Sequence, residues 1–415
     1  MTAAQGACTI SELSGLVSPR IDRIMELARR HLEMDVVFVS EFTGGRQVPR
    51  AIDGDGESFG LAVDEGVPLE NTYCRLMLDE LIPNVIPDIA ADARVRPLRI
   101  TVDGSIGAYV GVPLRLPDGT VYGSFCGLSH DEQPGLDRRD ASFLRMLAEL
   151  VVDDLEEQRQ RDQRRAQIAD LILGERVTIA LQPVVDLHTG RCIGVEALSR
   201  FPAGSGSPEA VFAGAHDVGL GLELERMTAA RALALRPAIA ADQALGINLT
   251  PGVAMTLTDG DLDAPLEQLV LEITEHEAVD SYAGLRDRLQ PLRERGLRLA
   301  IDDAGAGYAS LQHIIELQPD LIKIDRSIIN GLAADKARRS VVSGFVLLAL
   351  DLGGRVVAEG VERRDDLRAA AELGVDLGQG YLLARPSTNS ADHAYWASGP
   401  DLLRALDRAV QPVRR

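Results

Sequence analysis

The chain has 415 residues, 46% of them hydrophobic and 26% charged, an ordinary composition for two or three folded domains without long disorder. Its formal net charge of −20 excludes a general binder of duplex nucleic acid or of anionic membrane, because both would be repelled. A phosphate ligand stays open to it, provided metal ions bridge the ligand to carboxylates. The first ten residues, MTAAQGACTI, lack a basic stretch followed by an apolar run, so no secretory signal is read there. The most apolar later run, 341–352, is shorter than a membrane span and contains Ser343, Gly344 and Asp351. Cys8, Cys74, Cys126 and Cys192 are scattered without CxxC spacing, which fits a reducing cytoplasm.

In chain order, 21–32 has helical apolar spacing and 35–42 (DVVFVSEF) reads as a strand. Two further strand runs, 107–116 and 121–128, flank Pro117-Asp118-Gly119, a hairpin signal. A helix is then expected from near Asp137 to Leu173, with Leu144, Leu147, Val151 and Leu155 on one side and a polar centre, EEQRQRDQRRAQ. It is either a solvated linker or a two-stranded coiled coil in a homodimer. After Gly174 eight strand runs follow: 177–187, 192–201, 246–250, 269–275, 298–303, 321–325, 355–359 and 377–384. Most are separated by helical spacing, as at 222–235, 282–295, 338–350 and 365–373. The pattern predicts an α/β fold: a (β/α)8 TIM-like barrel, joined by the helical linker to an N-terminal α+β domain. Only His188 to Arg191 join the first two barrel strands, so these are expected to pair antiparallel. The boundaries expected are 1–139, 140–174 and 175–415.

Polar residues interrupt the barrel's apolar runs near their ends: Glu196, Asn248, Glu272 with Glu275, Asp302 with Asp303, Lys323 with Asp325, Glu359 with Glu362, and Gln379. A carboxylate in a buried strand costs several kcal/mol unless it is paired or metal-bound. Lys323 is almost the only cation among these residues, so hard, oxygen-preferring ions such as Mg²⁺ or Mn²⁺ suit them. Adjacent Asp302 and Asp303 would reach two ions, the arrangement phosphodiester cleavage uses. A zinc site is disfavoured because the histidines show no HExxH or paired spacing. A serine nucleophile is disfavoured because no GxSxG follows a strand.

With LQPVVDLHTGRCIGVEALSRF, INLT, LEITE, DDAGAGYASL, LIKIDRS, VAEGVE and QGYLLARP in order, the chain resembles the EAL family of cyclic di-GMP phosphodiesterases from about 177 to 386. The resemblance implies hydrolysis of cyclic di-GMP to linear pGpG with two ions, Mg²⁺ or Mn²⁺. Glu196, Asn248, Glu272 and Asp302 would hold one ion, and Asp302 and Asp303 would share the second. Lys323 and Glu359 would position and deprotonate the attacking water. Arg200 would engage a substrate phosphate, and Gln182, Leu198, Asp325 and Gln379, with Glu196, fall at substrate-contact positions. Glu275 would pin the loop after Asp303, and Glu362 would support the metal ligands.

Departures gather in that loop, where Ala304, Ala306 and Ala309 stand in place of the family's usual Phe, Thr or Ala, and Ser. Leu181 stands where a Tyr is common. No metal ligand is lost, which favours a competent enzyme, slower or more dependent on regulation; the alternative is an inactive EAL domain acting as a cyclic di-GMP receptor. Residues NTYCRLMLDELIPNVIPDIAADARV and YVGVPLRLPDGTVYGSFCGL resemble a GAF sensor domain, whose ligand the sequence does not name. Cys74 and Cys126 there are a redox pair, a tetrapyrrole site or, the reading favoured, simple core residues.

Overall fold

The computed structural model describes residues 18–404, apart from 175, 263, 275–278, 280 and 306–308. It divides into two compact units, one ending at Gln163 and the other beginning at Arg164. No helix among the described residues is long and apolar enough to cross a membrane.

The first unit opens with α1 (Pro19–Leu32), where the Ser18 side chain accepts from the Ile21 amide and Pro19 starts the first turn. Six antiparallel strands follow, β1 (Val36–Thr43), β2 (Arg46–Gly54), β3 (Val67–Pro68), β4 (Val85–Ile86), β5 (Ala108–Arg115) and β6 (Val121–Ser129), in the order β3-β2-β1-β6-β5-β4. Helices α2 (Tyr73–Leu78) and α3 (Arg99–Asp103) lie between β3 and β5 in the chain. Period-two alternation divides the core by sheet face. Val37 and Val39 pack with Ile21, Met25 and Phe125 and with Leu144, Leu147 and Val151 of α4 (Arg138–Leu173). Val36 and Phe38 pack with Tyr73, Cys74, Tyr109 and Cys126 on the other face.

The second unit is a closed barrel of eight strands: β7 (Thr178–Asp186), β8 (Cys192–Arg200), β9 (Ala244–Leu249), β10 (Leu269–Ile273), β11 (Arg298–Ala304), β12 (Leu321–Ile324), β13 (Arg355–Ala358) and β14 (Leu377–Gly378). β7 and β8 pair antiparallel, as their five-residue link requires, and β14 closes antiparallel on β7; the remaining neighbours are parallel. The helices are α5 (Pro208–Asp217), α6 (Gly221–Ala234), α7 (Pro251–Thr256), α8 (Tyr282–Glu294), α9 (Ala309–Leu317), α10 (Arg326–Ile329), α11 (Lys336–Leu352), α12 (Arg364–Glu372) and α13 (Ser390–Ala397). The strand expected over 377–384 stops at Gly378, because Gly380 (φ +155°) begins a turn held by Leu383 and Ala384 amides on its carbonyl.

Candidate active site

The barrel interior is built in two layers. Ala244, Val270, Ala300, Leu321, Val357 and Leu377 form an apolar plug. Because side chains alternate along a strand, the next inward position lies two residues further on. Those positions are Glu272, Asp302, Lys323, Glu359 and Gln379. On β9 the same step above Ala244 is Gly246, and the one above that is Asn248. The polar residues that interrupt the apolar runs are therefore one storey of the barrel, on the C-terminal side of the plug, where barrels carry their chemistry.

Register then brings them together. Gln182 lies opposite Glu196, Glu196 opposite Gly246, and Asn248 opposite Glu272. On β11 the pairing with β12 slips between Ile301 and Ala304, and Asp303 adopts φ +52°. In a regular strand neighbouring carboxylates would face opposite sides, whereas this bulge turns Asp302 and Asp303 toward one mouth. The left-handed backbone costs about 1–2 kcal/mol at a non-glycine residue. Strain of this kind persists at functional sites.

Two groups of carboxylate oxygens result, Glu196–Glu272–Asp302 and Asp302–Asp303–Glu359, each with its oxygens within 4.8 Å of one another. Lys323, buried to 2% exposure, reaches into both. Its Nζ is 2.7 Å from Glu359, 2.9 Å from Asp302 and 3.4 Å from Glu196, and it also pairs with Glu272. Burial opposes the lysine's charge, but the four carboxylates hold its pKa well above the ordinary value. One cation does not neutralise four acids. Burial, and repulsion from Glu196 and Asp302 against the pull of Lys323, push Glu272 up to about 8. Burial and the nearby Asp302 raise Glu359 well above the carboxylate range.

The arrangement fits divalent cations on a second observation. Among the described residues, the buried oxygens Asn248 Oδ1 and Gln379 Oε1 have no hydrogen-bond partner, although Asn248 Nδ2 donates to Glu196 Oε1 (2.6 Å) and Gln379 Nε2 to Glu196 Oε2 (2.6 Å). The Asn248 amide thus presents a bare oxygen beside the acids, and every candidate ligand is a hard oxygen.

Gly246, which the sequence reading did not single out, leaves room for this cluster: a Cβ there would collide with the Glu272 carboxylate. Gly246→Ala should displace Glu272 and weaken divalent-ion binding by about ten- to a hundredfold. Isothermal titration of the metal-free variant with Mn²⁺ checks this; unchanged affinity would contradict it.

The cluster forms one wall of a cavity of about 770 Å³, within the range of small-molecule sites. Gln182, Leu198, Arg200, Asp325, Glu362 and Gln379 line it too. Gln182 donates to the Ala384 carbonyl (3.0 Å) and accepts from Gln379 (3.1 Å), so these two glutamines brace Glu196. Arg200 donates to the Ser199 carbonyl (2.9 Å), Asp325 caps α10, and Glu362 is exposed. Glu275 and Ala306 lie outside the described residues, as does the side chain of Ala309.

Two further features were missed. Buried Glu225 accepts from the Thr250 amide (2.8 Å) and pairs with His216 (2.7 Å), fixing the chain just beyond Asn248. Tyr381 stands exposed on the cavity wall with the Arg385 guanidinium 4.4 Å from its ring centroid. Glu225 has no linear signal, since Thr250 is brought to it only by the fold, whereas Tyr381 and Arg385 stand four residues apart within QGYLLARP.

A closed barrel with overlapping acid groups around a buried lysine defines a barrel domain whose mouth could hold metal ions. The EAL domain model matches residues 162–386, over half the chain, and the chain belongs to that family. The GAF domain model matches residues 18–154. A Pseudomonas aeruginosa protein named as a cyclic di-GMP phosphodiesterase is 34% identical over 225 residues, covering 50% of this chain and 38% of its own length. An Escherichia coli protein named as a probable cyclic di-GMP phosphodiesterase is 31% identical over 236 residues, covering 52% and 43%. The chain thus spans less than half the length of these curated relatives. The Xanthomonas citri FimX EAL domain, solved in complex with c-diGMP, aligns with TM-score 0.50 and 20% identity over 57% of this chain and 97% of that one, which shows the shared fold.

Proposed function

We propose that the barrel unit opens one phosphodiester of cyclic di-GMP to linear pGpG with two hard divalent cations, Mg²⁺ or Mn²⁺. The observation that carries this reading is Asp302, which belongs to both acid groups and would bridge two ions. The names of the relatives supply the substrate. Glu196, Asn248, Glu272 and Asp302 would hold one ion, and Asp302 and Asp303 the other; bound there, the ions would polarise the phosphate and acidify a water. Lys323 and Glu359, 2.7 Å apart, would orient that water, and Glu359 would take its proton. Arg200 would hold a phosphate oxygen. The test is product formation by the purified chain with cyclic di-GMP and Mg²⁺ or Mn²⁺, lost in Glu196→Ala. Tight binding without turnover would instead mark a receptor.

The reading extends to the rest of the chain. The GAF unit would set the rate, and the active species would be a homodimer, for which exposed Leu311, Ile315, Leu347 and Leu350 on α9 and α11 offer apolar surface. The setting we propose is the cytoplasm, whose reducing pool suits the free thiols of Cys74, Cys126 and Cys192.

Metal binding should depend on pH in a defined direction. Glu272 protonates near 8 in the metal-free fold, above an unfolded value of about 4.3. Its contribution to metal-free stability is full below the unfolded value and is lost as pH rises through about 8. A cation needs the ionised form, so Mn²⁺ should raise Tm more at about pH 9 than at about pH 6. Thermal melts with and without Mn²⁺ read this directly. A shift independent of pH would contradict it.

A further inference from the structure

Cys74 is the second residue of α2, and Cys126 lies on β6 in the core of the first unit. Their sulfurs are 3.1 Å apart, about 1 Å beyond the roughly 2.05 Å of a disulfide bond. Core packing alone would surround such a pair with apolar groups. Here Gln47 Nε2 (3.1 Å) and Ser124 Oγ (3.2 Å) both donate to Cys74 Sγ, and Gln47 also donates to Ser40 Oγ (2.9 Å). Ser40, Gln47 and Ser124 are themselves buried, at 0%, 4% and 0% exposure. A neutral thiol is a weak acceptor, so aiming two buried donors at it gains little. A thiolate makes the same hydrogen bonds charge-assisted.

The two sulfurs are unequal. Burial pushes the Cys74 thiol up, but hydrogen bonds from Cys126, Ser124, Gln47 and Tyr109 outweigh it and the net direction is down. Burial and the Cys74 sulfur drive Cys126 well above its ordinary value. Gly111, opposite Cys126 on β5, keeps the space open: a Cβ there would strike the Tyr109 hydroxyl and lie 3.0 Å from Cys126 Sγ. A cavity of about 30 Å³ reaches Cys74 between Phe38, Gln47, Phe59 and Tyr73, enough for a water-sized molecule. Cys192 is the contrast. It is buried alone in the barrel unit, its S–H donates to the Gly194 carbonyl (3.2 Å), and burial pushes it up to about 11.

We propose that Cys74 and Cys126 are a peroxide-reactive thiol pair that closes to a reversible disulfide within the GAF unit, with Cys74 the attacking and Cys126 the resolving sulfur. The Cys74 thiolate attacks one peroxide oxygen and the O–O bond breaks, leaving Cys74 sulfenic acid and, after protonation, water. Cys126 then attacks the Cys74 sulfur, the S–O bond breaks, and a second water leaves with the Cys126 proton. The pair loses two electrons to the peroxide, and a dithiol reductant returns them. Intracellular disulfides are usually transient and redox-sensing, which matches a pair built for opening and closing.

The test treats the full chain with graded hydrogen peroxide, alkylates free thiols, and maps peptides with and without dithiothreitol. A linked Cys74–Cys126 peptide pair, lighter by two hydrogens and released by dithiothreitol, is expected while Cys192 remains fully alkylated. In Cys126→Ala, Cys74 should accumulate as sulfenic acid captured by dimedone; in Cys74→Ala, Cys126 should stay unreacted. Gln47→Leu should slow the reaction about tenfold by removing a donor to the thiolate, the effect of about one pKa unit. The wild-type map needs no variant to fold. No link at any peroxide concentration that leaves circular dichroism unchanged would overturn the proposal. So would oxidation of Cys126 in Cys74→Ala, or of Cys192 in parallel with the pair, which would mean oxidation through unfolding.

Discussion

Replacing Asp302 by asparagine is expected to lower cyclic di-GMP hydrolysis by about a thousandfold or more. The residue belongs to both carboxylate groups, so both cations would lose a charged ligand at once. About 4 kcal/mol of lost metal-assisted stabilisation corresponds to three decades of rate. Fold stability should move the other way. Asparagine keeps the shape and removes one of four like charges around Lys323, so the metal-free Tm should hold or rise. Product chromatography beside a thermal melt separates the two effects. A variant that loses activity only because it unfolds, or that keeps more than about a tenth of it, would count against the bridging role.

Lys323→Met should act on stability and rate differently. Among the described residues no second cation pairs with Glu196, Glu272, Asp302 or Glu359, so removing the ammonium leaves four acids, two buried and two partly buried, facing one another. The metal-free fold should lose about 3–5 kcal/mol. Saturating Mn²⁺ should restore most of that, because divalent charge replaces the lysine's. The rate should stay down by about a hundredfold or more even with metal, since the group that would orient the attacking water is gone. Full recovery of kcat with metal would make Lys323 a counter-ion only.

The sequence made the barrel legible because its plug and polar storey follow one rule, an apolar residue and then a polar one two places on, as in Val270 and Glu272 or Val357 and Glu359. The antiparallel first pair was equally readable, since four residues cannot cross over a barrel. β2 escaped notice because Arg46, Pro49 and Arg50 break its apolar run. It forms through pairing with β1 across Gly44 and Gly45, at φ +56° and +74°, a hairpin signal that was there to be read. The bulge at Asp302 and Asp303 was not legible. Adjacent acids in a strand predict opposite faces, and only the slipped register with β12 overrides that. Nor did the sequence reveal that Lys323 meets four acids, because their separations from it, 21 residues for Asp302 to 127 for Glu196, close only in the barrel. The missing Phe at Ala304 is set in new light by its surroundings. Ala304 is fully buried, and Ile328 and Phe345 close around neighbouring Gly305, so bulk reaches this place from α10 and α11.

The most direct measurement is turnover of cyclic di-GMP by the purified full chain in Mg²⁺ or Mn²⁺, followed by chromatography of the products. Linear pGpG should appear with metal, vanish on chelation with EDTA and return when metal is restored. Cyclic di-GMP that binds in the presence of either metal and is recovered intact would contradict a phosphodiesterase and leave a receptor.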